Sequence, residues 1–402
     1  MIILNPTLKM SPKILTFSWN TASIRLCETL SEEEKIANRT NSITGKYGVP
    51  VPGYSWYDCE IPDFFEYMAS KITETQAEIV VIGFQEDAYP GSYFHSHLLP
   101  TEMPKLGYKF VKRTKLQGLG VTTVKALYSG DVKLRGLRLS IYVRDDYFDS
   151  IESIYQEVDP GYDGQKEYVC TSSLTRGKGA TASYLKIKGS ENLIAIINCH
   201  LPFAAKSLFE SKDKHNRMIR QNALFNSNLC FNNIIENLVL NYSNVSHVIL
   251  MGDLNYRVWF DNRGAIEIGQ EILDKFLLEP QHYKDVLNEL YLTGDELVKQ
   301  MRKENIYNFL EGVNNEGPLF APTCKMKKNR EYLVNNKSKL VTDFWNIGHD
   351  QRIPSWCDRI LYQKFNNSDM RNIICTYYDS FDVGKVMKMS DHSGVVAIFE
   401  LL

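Results

Sequence analysis

Residues 247–260 read HVILMGDLNYRVWF, an apolar run that ends abruptly in a glycine, an acid, an amide, a tyrosine and an arginine. Val248, Ile249, Leu250 and Met251 form the short run expected of an inner strand of a sandwich. Asp253 and Asn255 stand two apart, which on an extended chain turns both side chains to one face. Gly, Asp and Asn also favour turns, so the purpose of this strand end has to be read from the rest of the chain.

Working outward, apolar or alternating runs recur at 13–20, 79–86, 107–116, 137–144, 180–188, 193–201, 247–255, 358–363 and 394–401. Helical patterns lie between them, at 61–76, within 206–240 and at 294–305. Strands mixed with helices, with no regular βαβ period and no internal repeat, predict an α/β protein built as a two-sheet β-sandwich flanked by helices. One domain is expected over residues 1–402, with its core at about 13–401. The stretches 27–60, 145–178 and 325–350 read as long loops of the kind that carry function.

Composition narrows the classes. Hydrophobic residues are 44% and charged residues 23% of the chain, as in an ordinary globular protein. A net charge of −2 argues against binding nucleic acid through its phosphate backbone, which selects a basic surface. The eight cysteines, at 27, 59, 170, 199, 230, 324, 357 and 375, show neither CxxC nor paired metal spacing, which predicts reduced thiols, no zinc and a cytoplasmic setting. No segment approaches the length of a membrane span, and the N-terminal apolar run is too short for a secretory signal.

Several runs finish on the same kind of residue: Asn20, Glu86, His200, Asp253 with Asn255, and Asp391–His392 just before the last run. A lone strand histidine is most often a satisfied core residue, but five such endings predict one site at an edge of the sandwich. Carboxylates such as Glu86 offer hard oxygen ligands to Mg²⁺. Asp253 can orient or deprotonate a water, and His200 and His392 can stabilise charge on a phosphoryl group. The shared theme is metal-assisted phosphoester hydrolysis.

On these residues the chain resembles the inositol polyphosphate 5-phosphatases. GDLNYR (252–257) resembles the first signature of that family and PSWCDRIL (354–361) the second. SWN (18–20), FQE (84–86), RGKGA (176–180), CHL (199–201), FAPTCK (320–325) and SDHSGV (390–395) follow in family order. The resemblance implies a DNase-I-like four-layer sandwich and a Mg²⁺-dependent phosphomonoesterase acting on inositol polyphosphates or phosphoinositide lipids. It implies that Glu86 binds the metal with Asn20 close by and Asp391 in its outer shell. Asp253 and Asn255 would position the attacking water, while His392, held by Asp358, and His200 would contact the scissile phosphate. Tyr256, Arg257, Arg359 and Lys325 would bind phosphates or brace the site, and Lys178 would face another ring phosphate.

The chain departs from that family pattern at Cys324, where Tyr is usual, at Gly394, where Pro is usual, at Leu250 in place of an aromatic, and after His200, where a second histidine is missing. The changes at Cys324, at Gly394 and after His200 fall beside the implied inositol-binding groups, which leaves substrate choice open, whereas Leu250 reads as packing. Two rivals are a nuclease or sphingomyelinase of the same wider fold, and an inactive phosphoinositide-binding module. The signatures oppose the first, and the complete polar set opposes the second. The basic segment 325–339 is expected to meet a polyanionic head group or an anionic membrane surface, placing a monomeric protein peripherally at membranes.

Overall fold

A computed structural model describes residues 12–22, 63–89, 94–120, 133–152, 166–170, 178–190, 192–202, 214–260, 265–278, 282–327, 345, 353–365, 372–383, 387–388 and 390–402. The alternation along β1 (Lys13–Asn20) shows how its layers arise. Ile14 joins a central core, whereas Leu15, Phe17 and Trp19 pack with Phe64, Phe65, Met68 and Ile72 of helix α1 (Asp63–Thr75). The same division runs through β8 (Leu193–His200) and β9 (Val245–Asp253). Ile194, Ile196, Ile249 and Met251 face the central core, and Ala195, Ile197, Cys199, Val248 and Leu250 pack against Phe231, Ile234 and Ile235 of α2 (Lys214–Ile235). Period-two strands with both faces buried therefore give four layers: helix, sheet, sheet, helix.

The first sheet runs β12 (Ile373–Phe381), β13 (Gly394–Leu401), β1, β2 (Ile79–Tyr89), β4 (Lys133–Arg144), β3 (Tyr108–Gly120). The second runs β10 (Leu310–Glu311), β11 (Asp358–Lys364), β9, β8, β7 (Gly179–Ile187), β5 (Ile151–Glu152), with β6 (Lys166–Val169) also paired to β7. Among the described residues each sheet holds one parallel pair, β1 with β2 and β8 with β9. Parallel neighbours need a crossover, and α1 and α2 lie within those two connections. Parallel pairing also aligns strand ends, so Asn20 and Glu86 finish together in one sheet, and His200 and Asp253 in the other.

All nine runs read from the sequence lie on strands, and the helices at 61–76 and within 206–240 are α1 and α2. The edge strand β12 was not foreseen, since IICTYYDSF has no clean alternation and most of it is only half buried. Helices α3 (Ala265–Leu278) and α4 (Tyr283–Gly294) were missed too, and α5 (Glu296–Arg302) is the third predicted helix. The segment 145–178 is not all loop, because β5 and β6 pair with β7 there. The loop at 27–60 lies outside the described residues, as does most of 325–350.

One expectation is corrected. Cys170, just past β6, and Cys230, on α2, form a disulfide with Cα atoms 5.5 Å apart and 60 residues of separation in sequence. Packing a helix over an edge hairpin brought together two cysteines that sequence spacing kept apart. Cys199, Cys324, Cys357 and Cys375 are free and buried. Cys27 and Cys59 lie outside the described residues. No helix among the described residues is long and apolar enough to cross a membrane.

Candidate active site

Polarity rises along the inner faces of both sheets toward the aligned strand ends. Below the site, the Gln85 amide donates to Ser18 Oγ (3.0 Å) and to Asn198 Oδ1 (2.7 Å), and Asn198 Nδ2 donates to the carbonyls of Phe84 (3.0 Å) and Arg138 (2.8 Å). These bonds join the two sheets across the core. Gly83 permits the approach, because a Cβ there would lie 2.7 Å from the Met251 sulfur.

Asp253 is the hub. Its Oδ2 accepts from Asn20 Nδ2 at 2.8 Å and lies 3.2 Å from His200 Nε2, while its Oδ1 accepts from the Asn255 amide at 3.0 Å. In the ladder Asp253 faces His200 on one side and Asp358 on the other, so β8, β9 and β11 present one row of three functional groups. Asp358 Oδ2 accepts from Thr323 Oγ1 (2.8 Å) and lies 2.8 Å from His392 Nδ1. Ser390 ties the last strand to the first: its Oγ donates to the Asn20 carbonyl at 2.8 Å and accepts from the His392 amide at 3.1 Å.

Two site residues hold backbone conformations that few L-residues adopt. Glu86 has φ 52° at the bulge of β2, between Phe84 and Asp87, and Asn255 has φ 57°. Such conformations cluster at functional sites because the surroundings must hold them in place. Asn255 is fixed on three sides, by Asp253, by the Leu201 carbonyl (2.9 Å from Nδ2) and by Arg257 Nη2 (2.9 Å from Oδ1).

Electrostatics divides the groups. Burial alone would raise the Asp253 carboxyl, but His200 beside it, with His392 and Lys178, outweighs burial and holds it well below the usual carboxylate range. Burial and then Lys178, whose Nζ contacts His200 Nε2, lower the His200 imidazole. Burial pushes Asp358 up to about 7 against the pull of His392. His392 is raised well above the ordinary imidazole value, since Asp358 and Cys324 more than offset its burial. Asp253 is thus an anion at neutral pH, and the Asp358–His392 pair retains a proton.

The remaining predicted residues are placed as follows. Lys325 Nζ lies 2.8 Å from Asp391 Oδ2, and both are partly exposed. Arg257 sits beneath the cluster, with Nη1 at 3.1 Å from Cys324 Sγ. Tyr256 and Arg359 are not brought to it. The Tyr256 hydroxyl donates to Asn228 on α2 (2.9 Å) within the outer layer. The Arg359 guanidinium, 0% exposed, is gripped by Glu311 and by Asp295 (2.9 Å). Of the two roles expected for them, packing and bracing is the one these contacts serve. Sequence reading overlooked Thr323 and Ser390, although both stand inside quoted motifs. Of the basic segment only 325–327 is described.

Among the described residues, Asp253, Asp358 and His392 are the one group whose potential ligand atoms lie within 4.8 Å of one another. Since His392 Nδ1 and Asp358 Oδ2 already bond each other, Asp253 is the member left facing outward to Asn20 and His200. Glu86 adds a second carboxylate close enough to favour the charged form of His200. The carboxylate oxygens of Asp253 and Glu86 are hard donors of the kind that suit a hard divalent cation.

The profile of endonuclease/exonuclease/phosphatase family 2 matches residues 17–398. The human phosphatidylinositol 3,4,5-trisphosphate 5-phosphatase 1 is 26% identical over 249 residues, 60% of this chain and 18% of that protein. The zebrafish (Danio rerio) phosphatidylinositol 3,4,5-trisphosphate 5-phosphatase 2B is 24% identical over 378 residues, 88% of this chain and 24% of that one. The chain therefore spans about a quarter or less of the length of these relatives. Among solved structures, the inositol polyphosphate 5-phosphatase domain of SPsynaptojanin, in complex with inositol (1,4)-bisphosphate and calcium ion, superposes with TM-score 0.52 at 18% identity, covering 97% of this chain and 84% of that one. A Cimex nitrophorin in its ferrous NO complex superposes with TM-score 0.56 at 14% identity, covering 98% and 99%. One fold thus serves unlike proteins, and function has to be argued from the site. With its motifs on the strands that build that site, the chain belongs to endonuclease/exonuclease/phosphatase family 2 and has the DNase-I-like four-layer sandwich fold.

Proposed function

We propose that the chain is a single catalytic domain that removes the 5-phosphate from inositol polyphosphates or phosphoinositide lipids by attack of an oriented water. The supporting observation is the row Asp358, Asp253, His200 across one sheet, closed by Asn20 and His392 from the other. A phosphoryl group above this row meets, within one buried cluster, an ionised carboxylate, an amide pair and a proton-bearing imidazole. Asp253, with Asn255, accepts hydrogen bonds from the water and aims its lone pair at phosphorus. His392 carries the Asp358-linked proton and donates toward the phosphoryl oxygens as negative charge builds there. His200, kept neutral, positions the same phosphate, and Lys178 and Lys325 supply fixed positive charge for neighbouring phosphates.

Glu86, with Asn20 beside it and Asp391 at the rim, would hold Mg²⁺, which when bound neutralises developing charge on the phosphoryl and leaving oxygens. We place the enzyme as a monomer in the cytoplasm, peripheral to anionic membranes. Cys170–Cys230 is then a bond that a reducing compartment would open. Phosphate release from soluble and lipid substrates bearing a 5-phosphate, each with EDTA and with restored Mg²⁺, tests the proposal. EDTA should abolish turnover and Mg²⁺ recover it; full turnover in EDTA would remove the metal assignment, and no release from any substrate would remove the activity.

A further inference from the structure

Cys324 occupies the place where a tyrosine is usual in the resembled family, and its sulfur sits at a junction. It accepts from Arg257 Nη1 at 3.1 Å and stands 3.7 Å from Nε2 of His392, and the Cys357 thiol is near enough to act on its charge. The other arm of Arg257 holds Asn255 Oδ1 at 2.9 Å. One sulfur atom therefore touches the histidine proposed to meet the phosphate and, through Arg257, steadies the amide proposed to position water. The backbone sets the two residues on paired segments. Cys324 and Ser355 exchange amide hydrogen bonds of 3.0 and 2.6 Å, and Cys357 lies two residues further along the same extended segment, its carbonyl accepting from Leu254 at 2.7 Å. The Cys357 thiol also donates to the Tyr256 carbonyl at 3.5 Å, while Cys199 and Cys375 set their sulfurs against the carbonyls of Met251 (3.4 Å) and Tyr377 (3.2 Å) and have no second thiol described beside them.

We propose that Cys324 is a positioning residue for His392 and Arg257, and that with Cys357 it forms an oxidant-sensitive thiol pair whose closure to a disulfide switches the site off. Hydrogen peroxide is the oxidant class. The Cys324 sulfur attacks one peroxide oxygen, the O–O bond breaks, and a sulfenic acid and one water result. The Cys357 sulfur then attacks the sulfenic sulfur, the S–O bond breaks, and its oxygen leaves with the two available protons as a second water. The thiols lose two electrons, and the peroxide gains them. The bonded sulfur is a poorer acceptor for Arg257 and is drawn away from His392, so both lose their anchor. A dithiol reverses the step by thiol–disulfide exchange. The switching-off rests on the phosphatase reading, whereas the bond formation does not.

The test treats the whole chain with graded hydrogen peroxide and follows two readouts, phosphate release from a soluble inositol polyphosphate bearing a 5-phosphate and peptide mapping under non-reducing conditions. A Cys324–Cys357 linked peptide should accumulate in step with at least a tenfold loss of rate. Dithiothreitol should reverse both, with the map reading Cys170–Cys230 separately. Cys357→Ser should keep the untreated rate, form no linked peptide and yield Cys324 trapped as sulfenic acid by dimedone. Cys324→Ala should lower kcat with little change in KM, and Cys324→Ser, which still offers Arg257 an acceptor, should recover most of it. Full inactivation without the linked peptide, or the linked peptide with an unchanged rate, would overturn the switch. Equal kcat in Cys324→Ala and the parent would overturn the positioning role. If no substrate is turned over at all, the map still decides whether the pair closes, so failure of the two ideas is told apart.

Discussion

Asp358 and Arg359 are neighbours on β11, yet they belong to two buried charge clusters of different character. Around Arg359, Nε and Nη2 bond Glu311, Nη1 bonds Asp295 and the Trp356 carbonyl, and the second Asp295 oxygen caps α5 through the Val298 amide. Around Asp358, Oδ1 and the His200 Nδ1 are buried without a hydrogen-bond partner. Closed polar networks brace a fold, whereas an open one at a strand end retains acceptors and donors for something that arrives. The motif PSWCDRIL thus encodes both a site and the clamp beside it.

The largest effect should come from the hub of the open cluster. Asp253→Ala removes the anion that Asn20, Asn255 and His200 all face, and kcat should fall about 10²–10⁴-fold in a protein that still folds and binds substrate. Steady-state kinetics beside a melting curve reads this. An unchanged kcat would mean that the open cluster is as structural as the closed one.

Arg359→Met attacks the closed cluster. Removing one partner of a fully buried ion group leaves uncompensated charge, which costs about 3–5 kcal/mol. Denaturant unfolding should show a loss of that order, with kcat per folded molecule nearly preserved. Replacing Arg359, Asp295 and Glu311 together with apolar residues should recover stability, since no charge is then stranded. A rate loss in Arg359→Met without loss of stability would move Arg359 into the chemistry.

Asp358→Asn tests the boundary between the two. Asp358 has a carboxyl raised to about 7, so its anionic form is lost as pH falls through that value. Once protonated it holds His392 less firmly, and kcat should decline on the acid side with a midpoint near 7. Asp358→Asn should lower the optimum rate by about 10²-fold and flatten that acid limb together. A limb that persists in the mutant would belong to another group.

The same contrast explains what was legible in the sequence. Strands with both faces buried, such as VSHVILMGD, write themselves as apolar runs, and it is the recurrence of polar endings on five of them that points to a site, since a single buried polar residue such as His247, bonded to Ser246, serves the core. Residues whose contacts lie far off in sequence left no such trace. Arg359 looks like a phosphate ligand until Glu311, 48 residues away, and Asp295, 64 away, close on it. Tyr256 looks the same until α2 supplies Asn228. The edge strand β12, half exposed and mixed in polarity, has no pattern to read. Cys170 and Cys230 depend on a helix docking over a hairpin, which spacing alone does not encode.

The smallest effect should lie at the rim, where neither cluster reaches. Lys325 and Asp391 pair at 2.8 Å with side chains 22% and 15% exposed, a setting in which an ion pair adds about 0–1 kcal/mol to stability. Melting should therefore hardly notice Lys325→Ala. Its charge matters once a substrate brings a ring phosphate that competes with Asp391 for the ammonium. A grip on a phosphate that does not react is equal in ground and transition states, so its loss should raise KM by about tenfold and leave kcat nearly unchanged. The comparison needs one substrate with 4- and 5-phosphates and one with the 5-phosphate alone, and Lys325→Ala should erase the preference between them. If kcat falls equally on both, Lys325 acts on the reacting phosphate, and the open cluster extends further than the buried row of Asp358, Asp253 and His200.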